Sequence, residues 1–446
     1  MHSIPEERSP LILWQPGHNV ASRTSGFTHV DKPDYTDYSR CVHCGLCLNH
    51  CPTYRLWHSE ADSPRGRIRQ IQLIDEGRLD LGEAFVRHID RCLDCRACET
   101  ACPSGVEYGK LVEAARVQIE QQYRRPVASR LARDLAYRRL LAYPLRIAAV
   151  ARILRLYQRS GLARLARGTG ALRLLGLESR ERLLPAIDSE FFFREVGKTF
   201  PAKGPHRARV ALFAGCIAQV TFSDLNRSTI RVLQANGCEV VVPSSQVCCG
   251  ALPAHAGVRD VARALARTNL SAFLLDTVDA ILTNAAGCGS TLKEYGRLLG
   301  VGEEHDRAAA FASKVRDVSE FLAELGLVAP MHPVALRVTY QDSCHLAHGQ
   351  KIREAPRKLI GSVPGVELLE MRLADQCCGS AGVYNITQTK ASMELLALKM
   401  ECVRETQAAA IVTSNPGCIL QLRAATAQSG LEVLHVIDLL ERAIGV

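Results

Sequence analysis

The chain reads as an α+β multidomain protein: an all-helical module near the N-terminus, then two copies of one α/β domain. Three observations predict this class. Two runs of four cysteines, each followed by proline, crowd residues 41–103. A Cys-Cys-Gly triplet occurs twice, at 248–250 and 377–379, each inside the same frame of flanking cysteines. Beyond residue 207, short apolar runs alternate with longer amphipathic ones, the pattern of a parallel sheet with crossover helices.

Residues 1–38 are polar and irregular and read as an extension lying on the surface, with no function assigned. Residues 39–123 carry the two runs: Cys41, Cys44, Cys47 and Cys51 before Pro52, then Cys92, Cys95, Cys98 and Cys102 before Pro103. Each is spaced C-x2-C-x2-C-x3-C-P, the bacterial ferredoxin pattern for a [4Fe–4S] cluster. Three thiolates on a tight loop can wrap one face of a cubane, leaving one iron for a distant ligand. In two-cluster ferredoxins that ligand comes from the other run. The expected sets are therefore Cys41, Cys44, Cys47 with Cys102, and Cys92, Cys95, Cys98 with Cys51. A zinc ribbon would leave half of each run unexplained, and disulfides need an oxidising compartment. Between the runs, residues 64–77 read as a helix with Ile68, Ile71, Leu73 and Ile74 on one face. A second helix precedes Cys92, and residues 106–123 form a third. This is an α-helical dicluster ferredoxin module, and it moves electrons.

With 446 residues, the chain has length for two to four domains. Eighteen cysteines in so long a chain favour metal or redox chemistry over a disulfide scaffold. The N-terminus lacks a basic segment followed by an apolar run, so no signal peptide is expected. No stretch of about twenty uncharged apolar residues suggests a spanning helix. The expected location is cytoplasmic, with peripheral contact at the inner face of the membrane as an option.

Residues 124–206 form an arginine-rich connector. Fifteen arginines between 124 and 182 face only Asp134, Glu178 and Glu181, which alone exceeds the net charge of +9 for the whole chain. No recognition motif or interleaved aromatic supports nucleic acid. Leu131, Leu135, Leu140, Leu145, Ile153 and Leu156 recur at helical spacing, interrupted at Pro144 and Gly161. Their stripe is expected to pack on neighbouring domains or a partner subunit, arginines outward. The alternative is a basic amphipathic surface for anionic lipid.

Residues 207–332 and 333–446 are the two copies. Cys216, the Cys248–Cys249–Gly250 triplet and Cys288 recur as Cys344, Cys377–Cys378–Gly379 and Cys418, offset by 128, 129 and 130 residues. Strands are expected at 209–214, 240–243 and 280–284, then at 336–340, 366–370 and 410–414; helices at 225–235 and 258–275 separate the first set. Cys216, Cys288, Cys344 and Cys418 then fall just past strand ends, where open α/β sheets place ligands. The CCG glycines allow the close backbone approach that folds these loops over the same rim.

Each copy gathers four cysteines, enough for a further iron–sulfur cluster or a zinc site: Cys216, Cys248, Cys249 and Cys288, and Cys344, Cys377, Cys378 and Cys418. Adjacent side chains diverge, so a vicinal pair ligates together only on a sharply bent loop. The plain alternative is buried structural cysteine. Cys238 and Cys402, without counterparts, read as core. His345 and His348 are candidate ligands or proton carriers, against the commoner fate of a histidine bonded to backbone. Lys293, Glu294 and Tyr295 read as opening a helix.

The segments CVHCGLCLNHCPTYRL (41–56), SPRGRI (63–68), RCLDCRACETACPSGVEYGKL (91–111), GCGSTLKEYG (287–296) and CCGSAGVYNIT (377–387) resemble the motifs of the glycolate oxidase iron–sulfur subunit family. The resemblance runs from about residue 36 to the C-terminus. More loosely, the chain is similar to iron–sulfur subunits of lactate utilisation, anaerobic glycerol-3-phosphate dehydrogenase and heterodisulfide reductase. The resemblance implies a complex in which a partner flavin (FAD) subunit oxidises a 2-hydroxy acid such as glycolate. This chain would pass single electrons to a quinone or another acceptor and would not oxidise the acid alone. No G-x-G-x-x-G follows a strand, so no flavin is expected here. The heterodisulfide reductase motif ends in C-x2-C; Ala285 and Asn415 occupy the first position of that pair here, which counts against thiol–disulfide catalysis. Zinc-stabilised docking modules are the non-redox alternative.

Overall fold

The computed structural model of the chain describes residues 26–174, 181, 184–427 and 429–446. Helices Pro64–Asp75, Glu83–Asp90 and Tyr108–Gln122 build the first module around Ile68, Ile71, Ile74, Phe85, Ile89, Leu111 and Ile119. The Ser63 hydroxyl accepts from Gly66 N, and Pro64 sits at the first helical position, where a missing N–H costs nothing. Leu73, expected on the buried face, is half-buried.

From residue 26 the extension runs along the surface of this module, with Val30 and Tyr35 exposed, and drops single side chains into its core. Phe27 is 3% exposed, Gly26 N donates to Asp75 O at 2.9 Å, and His29 Nε2 donates to Ala114 O at 3.1 Å. An irregular strip has no periodicity to read, yet it satisfies its backbone on the helices it crosses. The rest of that extension, residues 1–25, lies outside the described residues.

In the connector, helices Val127–Arg133 and Pro144–Arg159 flank a π-type stretch, Asp134–Leu140. The expected apolar stripe does not pack: Leu131, Leu135, Leu145, Ile153 and Leu156 are exposed and Leu140 is half-buried. Tyr137, Leu141, Ile147 and Ala151 are buried instead, against Val220 and Val258. Most of the arginines are outward, as expected: Arg130, Arg139, Arg146, Arg152, Arg159 and Arg164 are exposed, while others tie the connector to its neighbours. Arg133 donates to Ala256 O at 2.7 Å, Arg155 to Ser189 O at 2.5 Å, and Arg138 pairs with Asp260. These guanidiniums satisfy neighbouring carbonyls and carboxylates.

Nine strands follow among the described residues: β1 (Thr199–Phe200), β2 (Ala208–Leu212), β3 (Cys238–Val241), β4 (Ala280–Thr283), β5 (Val315–Asp317), β6 (Leu336–Gln341), β7 (Val366–Leu369), β8 (Ala410–Thr413) and β9 (Glu432–His435). The sheets run β1-β3-β2-β4-β5 and β7-β6-β8-β9. All pairings are parallel except β1 on β3, an edge contributed from inside the stretch read as connector. β4 and β8 are buried throughout, which is why they read as unbroken apolar runs. The short edge strands β5 and β9 escaped the sequence reading, since β5 contains Arg316 and Asp317 and β9 begins with Glu432.

One continuous apolar core joins the two sheets, from Val210 and Leu212 to Val338, Tyr340 and Val412. Helix Ser223–Ala235 of the first copy packs on helix Val436–Ile444 of the second. Cys238 and Cys402 lie inside this core, as expected. Among the described residues no helix is long and apolar enough to cross a membrane.

Candidate metal centres

The two ferredoxin-type loops share one backbone device. His43 and Gly45 in the first run, and Asp94 and Arg96 in the second, adopt left-handed φ at matching positions. That sharp curl is what turns C-x2-C-x2-C inward on itself. At Gly45 a Cβ would also meet Arg65 Nη1 at 2.8 Å, so glycine lets that guanidinium lie close over the loop.

Cys41, Cys44, Cys47 and Cys102 line one cavity, with Cys98 on its wall. Cys51, Cys92, Cys95 and Cys98 line the next. Cys102 thus sits with the first run and Cys51 with the second. Cys51 precedes helix Pro52–Trp57, and its sulfur lies 3.2 Å from Thr53 Oγ1. Cys92 Sγ accepts from Asp94 N at 3.3 Å and from Tyr108 Oη at 3.5 Å. Beneath this second cavity Arg67, 1% exposed, donates to Thr53 Oγ1 and His88 O and pairs with Asp62. Burial pushes the Cys47 thiol up to about 11 and drives Cys95 and Cys98 well above the usual thiol range. Thiols held this way ionise only beside a strong cation. Four thiols around one cavity are the donor set of a [4Fe–4S] cluster, so the residues fit that group.

The CCG cysteines converge as well. Cys216 Sγ lies 3.4 Å from Cys248 Sγ, and Cys249 is within hydrogen-bonding reach of both Cys248 and Cys288. In the second copy the chain of contacts runs Cys344–Cys377–Cys378–Cys418. The vicinal pair can face one site because the next residue turns sharply: Gly250 has φ +84° and Gly379 φ +91°. Both sites stand beyond the carboxyl ends of the central strands, β2 beside β4 and β6 beside β8, where the strand order reverses. Contact with Cys378 and burial push the Cys418 thiol well up. Four thiols suit an iron–sulfur cluster or zinc equally. Asn415, where a fifth thiolate would stand, donates from Nδ2 to Cys418 Sγ at 3.4 Å.

Lys293 and Glu294 close helix Ala286–Lys293 instead of opening one, and Tyr295 begins the next, Tyr295–Leu299. Tyr295 Oη donates to Cys249 O at 2.8 Å, and Lys293 pairs with Glu320. His345 and His348 take the commoner fate. His345 Nε2 donates to Asp94 O at 2.9 Å and His348 Nε2 to Asp375 O at 3.0 Å, while Thr100 Oγ1 donates to His348 Nδ1.

An ionic junction that no motif announced joins the helical module to the first α/β copy. Asp94 and Glu113 of the helical module meet His255, Arg259 and Arg297 of the first α/β copy, and Arg96 pairs with Glu294. Burial opposes its charge, but Asp94 and Glu113 hold the His255 imidazolium up to about 9. Asp94, Glu113 and His255 bring potential ligand atoms within 4.8 Å of one another. Arg96, Arg116, Arg259 and Arg297 already neutralise them, so the trio is a structural joint and not a cation site. Its members are far apart in the chain, which is why periodicity and spacing missed them.

Three family models match the chain: a 4Fe-4S dicluster domain over 37–106, the linker region of the glycolate oxidase iron-sulfur subunit over 128–184, and a cysteine-rich domain over 210–293 and 338–423. The chain is 40% identical over 429 residues to the probable glycolate oxidase iron-sulfur subunit of Bacillus subtilis (strain 168), covering 93% of this chain and 96% of the relative. It is 34% identical over 418 residues to the glycolate oxidase iron-sulfur subunit of Escherichia coli (strain K12), covering 91% and 93%. Lactate utilization protein A of Oceanobacillus iheyensis is 29% identical over 236 residues, 52% of this chain and 96% of that protein. Matched along nearly its whole length, the chain belongs to the glycolate oxidase iron–sulfur subunit family.

Proposed function

We propose that this chain is the electron-transfer subunit of a flavin-dependent 2-hydroxy-acid dehydrogenase complex, with glycolate as the acid. It relays single electrons from a partner FAD subunit to a quinone or another acceptor. The observation that carries the reading is the crossed gathering of thiols: Cys102 with the first run, Cys51 with the second, two cavities sharing Cys98 as a wall. Cys41, Cys44, Cys47 and Cys102 would hold one [4Fe–4S] cluster, and Cys51, Cys92, Cys95 and Cys98 the other. Bound there, such clusters supply one-electron transfer, with potentials set by hydrogen bonds, charge and burial.

The chain's own residues tune that chemistry. Tyr108, Thr53 and the Asp94 amide stand against the sulfurs, and buried Arg67 places a positive charge below the second cavity. Cys44 is exposed, which offers the first cavity as the side facing a partner. The exposed leucines and arginines of the connector offer a second surface, to a partner subunit or to an anionic membrane face. The CCG sets would hold a further iron–sulfur cluster or zinc.

The test is reconstitution. The purified chain alone should not turn over glycolate, and adding the flavin subunits should restore dye reduction. Turnover by the isolated chain would refute the reading. Disulfide-dependent oxidation of the reduced chain would favour the heterodisulfide reductase type, against which Ala285 and Asn415 stand.

A further inference from the structure

The two CCG sites, alike in sequence, are placed unequally. Cys95 and Cys377 belong to one buried cluster with Leu93, Ala97, Tyr384 and Leu395, and Cys344 packs at its edge. Of the thiol charges acting on Cys95, that of Cys377 outweighs those of Cys51 and Cys92 from its own set. Two further ties fix this seam: His345, next to Cys344, bonds the carbonyl of Asp94, next to Cys95, and Thr100 bonds His348. The first copy meets the helical module differently. Its contacts there are an ionic junction through Glu294, Arg259, Arg297 and His255, and the close approach of Gly257 to the backbone of Arg116. The thiol charges acting on Cys216, Cys248 and Cys249 come from their own set.

A second asymmetry concerns charge. A Cβ on Gly250 would meet Ala262, and one on Gly379 would meet Ser392, so these residues correspond between copies. Seven residues further along each helix stand Asn269 and Lys399. Asn269 is neutral and bonds Cys248 O and Val247 N. Lys399, 3% exposed, donates to Leu373 O at 2.6 Å and Ala374 O at 3.1 Å, with Cys378 the leading charge around it, followed by the core cysteine Cys402 and then Cys377. A buried ammonium beside a thiolate-held site stabilises the form carrying the extra electron.

We propose that electrons leave the ferredoxin module through Cys95 into the second CCG site alone, and that Lys399 is the positioning residue that makes this site the acceptor. The first CCG site stands off the route. In the step, one electron moves from the set Cys51, Cys92, Cys95, Cys98 to the set Cys344, Cys377, Cys378, Cys418. A cluster held by the donor set would lose that electron and one held by the acceptor set would gain it, with no bond or proton changing. This rests on the reading that the CCG sets hold redox-active iron–sulfur groups.

The test is a dithionite titration of the full chain, loaded with iron and sulfide anaerobically and followed by electron paramagnetic resonance. One CCG signal should be broadened by a ferredoxin-type signal, and the broadening should survive Cys288→Ser, which disables the first site. Lys399→Gln should move the midpoint of that signal to a more negative potential and leave the other CCG signal in place. Lys399→Arg should restore it. Broadening lost in Cys288→Ser, or no shift of the broadened signal in Lys399→Gln, would overturn the wiring while leaving the electron-transfer reading intact. Iron confined to the eight ferredoxin-type cysteines would overturn the reading of the CCG sets, and the wiring with it.

Discussion

Arg259 Nη2 lies 2.8 Å from Glu113 Oε2, joining the first α/β copy to the helix behind the ferredoxin loops. Both side chains are buried, and Arg297 and His255 share the same carboxylate. Burial works against the charge of Glu113, but Arg297, His255 and Arg259 hold it well below the usual carboxylate range. Glu113→Gln therefore strands several positive groups and should cost about 3–5 kcal/mol, as breaking a buried pair does. The thermal midpoint should drop sharply, and Arg259→Met in the same chain should recover part of the loss. Equal melting of Glu113→Gln and the parent would show the junction to be energetically idle.

The crossed cavities predict an effect at a distance in sequence. Cys51→Ser should perturb the centre held by Cys92, Cys95 and Cys98, and leave the one at Cys41, Cys44 and Cys47 unchanged. Paramagnetic resonance of the reduced chain distinguishes them. Loss of the other signal would show that the thiols are paired differently.

Gly379 has φ +91°, and an added Cβ would lie 2.5 Å from Ser392 O, a backbone atom that cannot step aside. Gly379→Ala should destabilise by more than about 1 kcal/mol and empty the second CCG site of metal. Gly250→Ala meets its nearest atom at 3.2 Å and should be milder. Metal content of the two variants, measured side by side, checks the order.

His435 caps the last helix: Nδ1 accepts from Ile437 N, and Nε2 donates to Asn284 O at 3.1 Å across the two copies. Burial lowers its pKa to about 4. The unfolded chain, with an ordinary value near 6.5, binds the proton first as pH falls, so stability is present above pH 6.5 and lost towards pH 4. The loss reaches about 3 kcal/mol at most. His435→Asn keeps a capping acceptor without the titration, and its thermal midpoint should fall less steeply over that window. Parallel profiles would refute this role.

Much of the architecture was legible in the residues. Fully buried strands such as β4 and β8 announce themselves as apolar runs, and the duplicated cysteine frame gives away the repeat. Edge strands β5 and β9 did not, because strands of three or four residues carrying Arg316, Asp317 or Glu432 look like loop. The facing of the connector was not legible: on the helix that starts afresh at Pro144, Leu145 and Ile153 stand in solvent while Ile147 and Ala151 are buried.

Cysteine spacing alone determined which thiols can share a loop and how many metal sites the chain can form, because ligand geometry limits spacing within a few residues. It also placed the CCG sites at strand ends. Only the tertiary structure decided which sites touch. Cys95 and Cys377 are neighbours because two domains pack there, Lys399 brings a buried charge where its twin Asn269 is neutral, and Glu113 finds its arginines across a fold. Such contacts depend on how surfaces meet at long range, and no local pattern of residues encodes them.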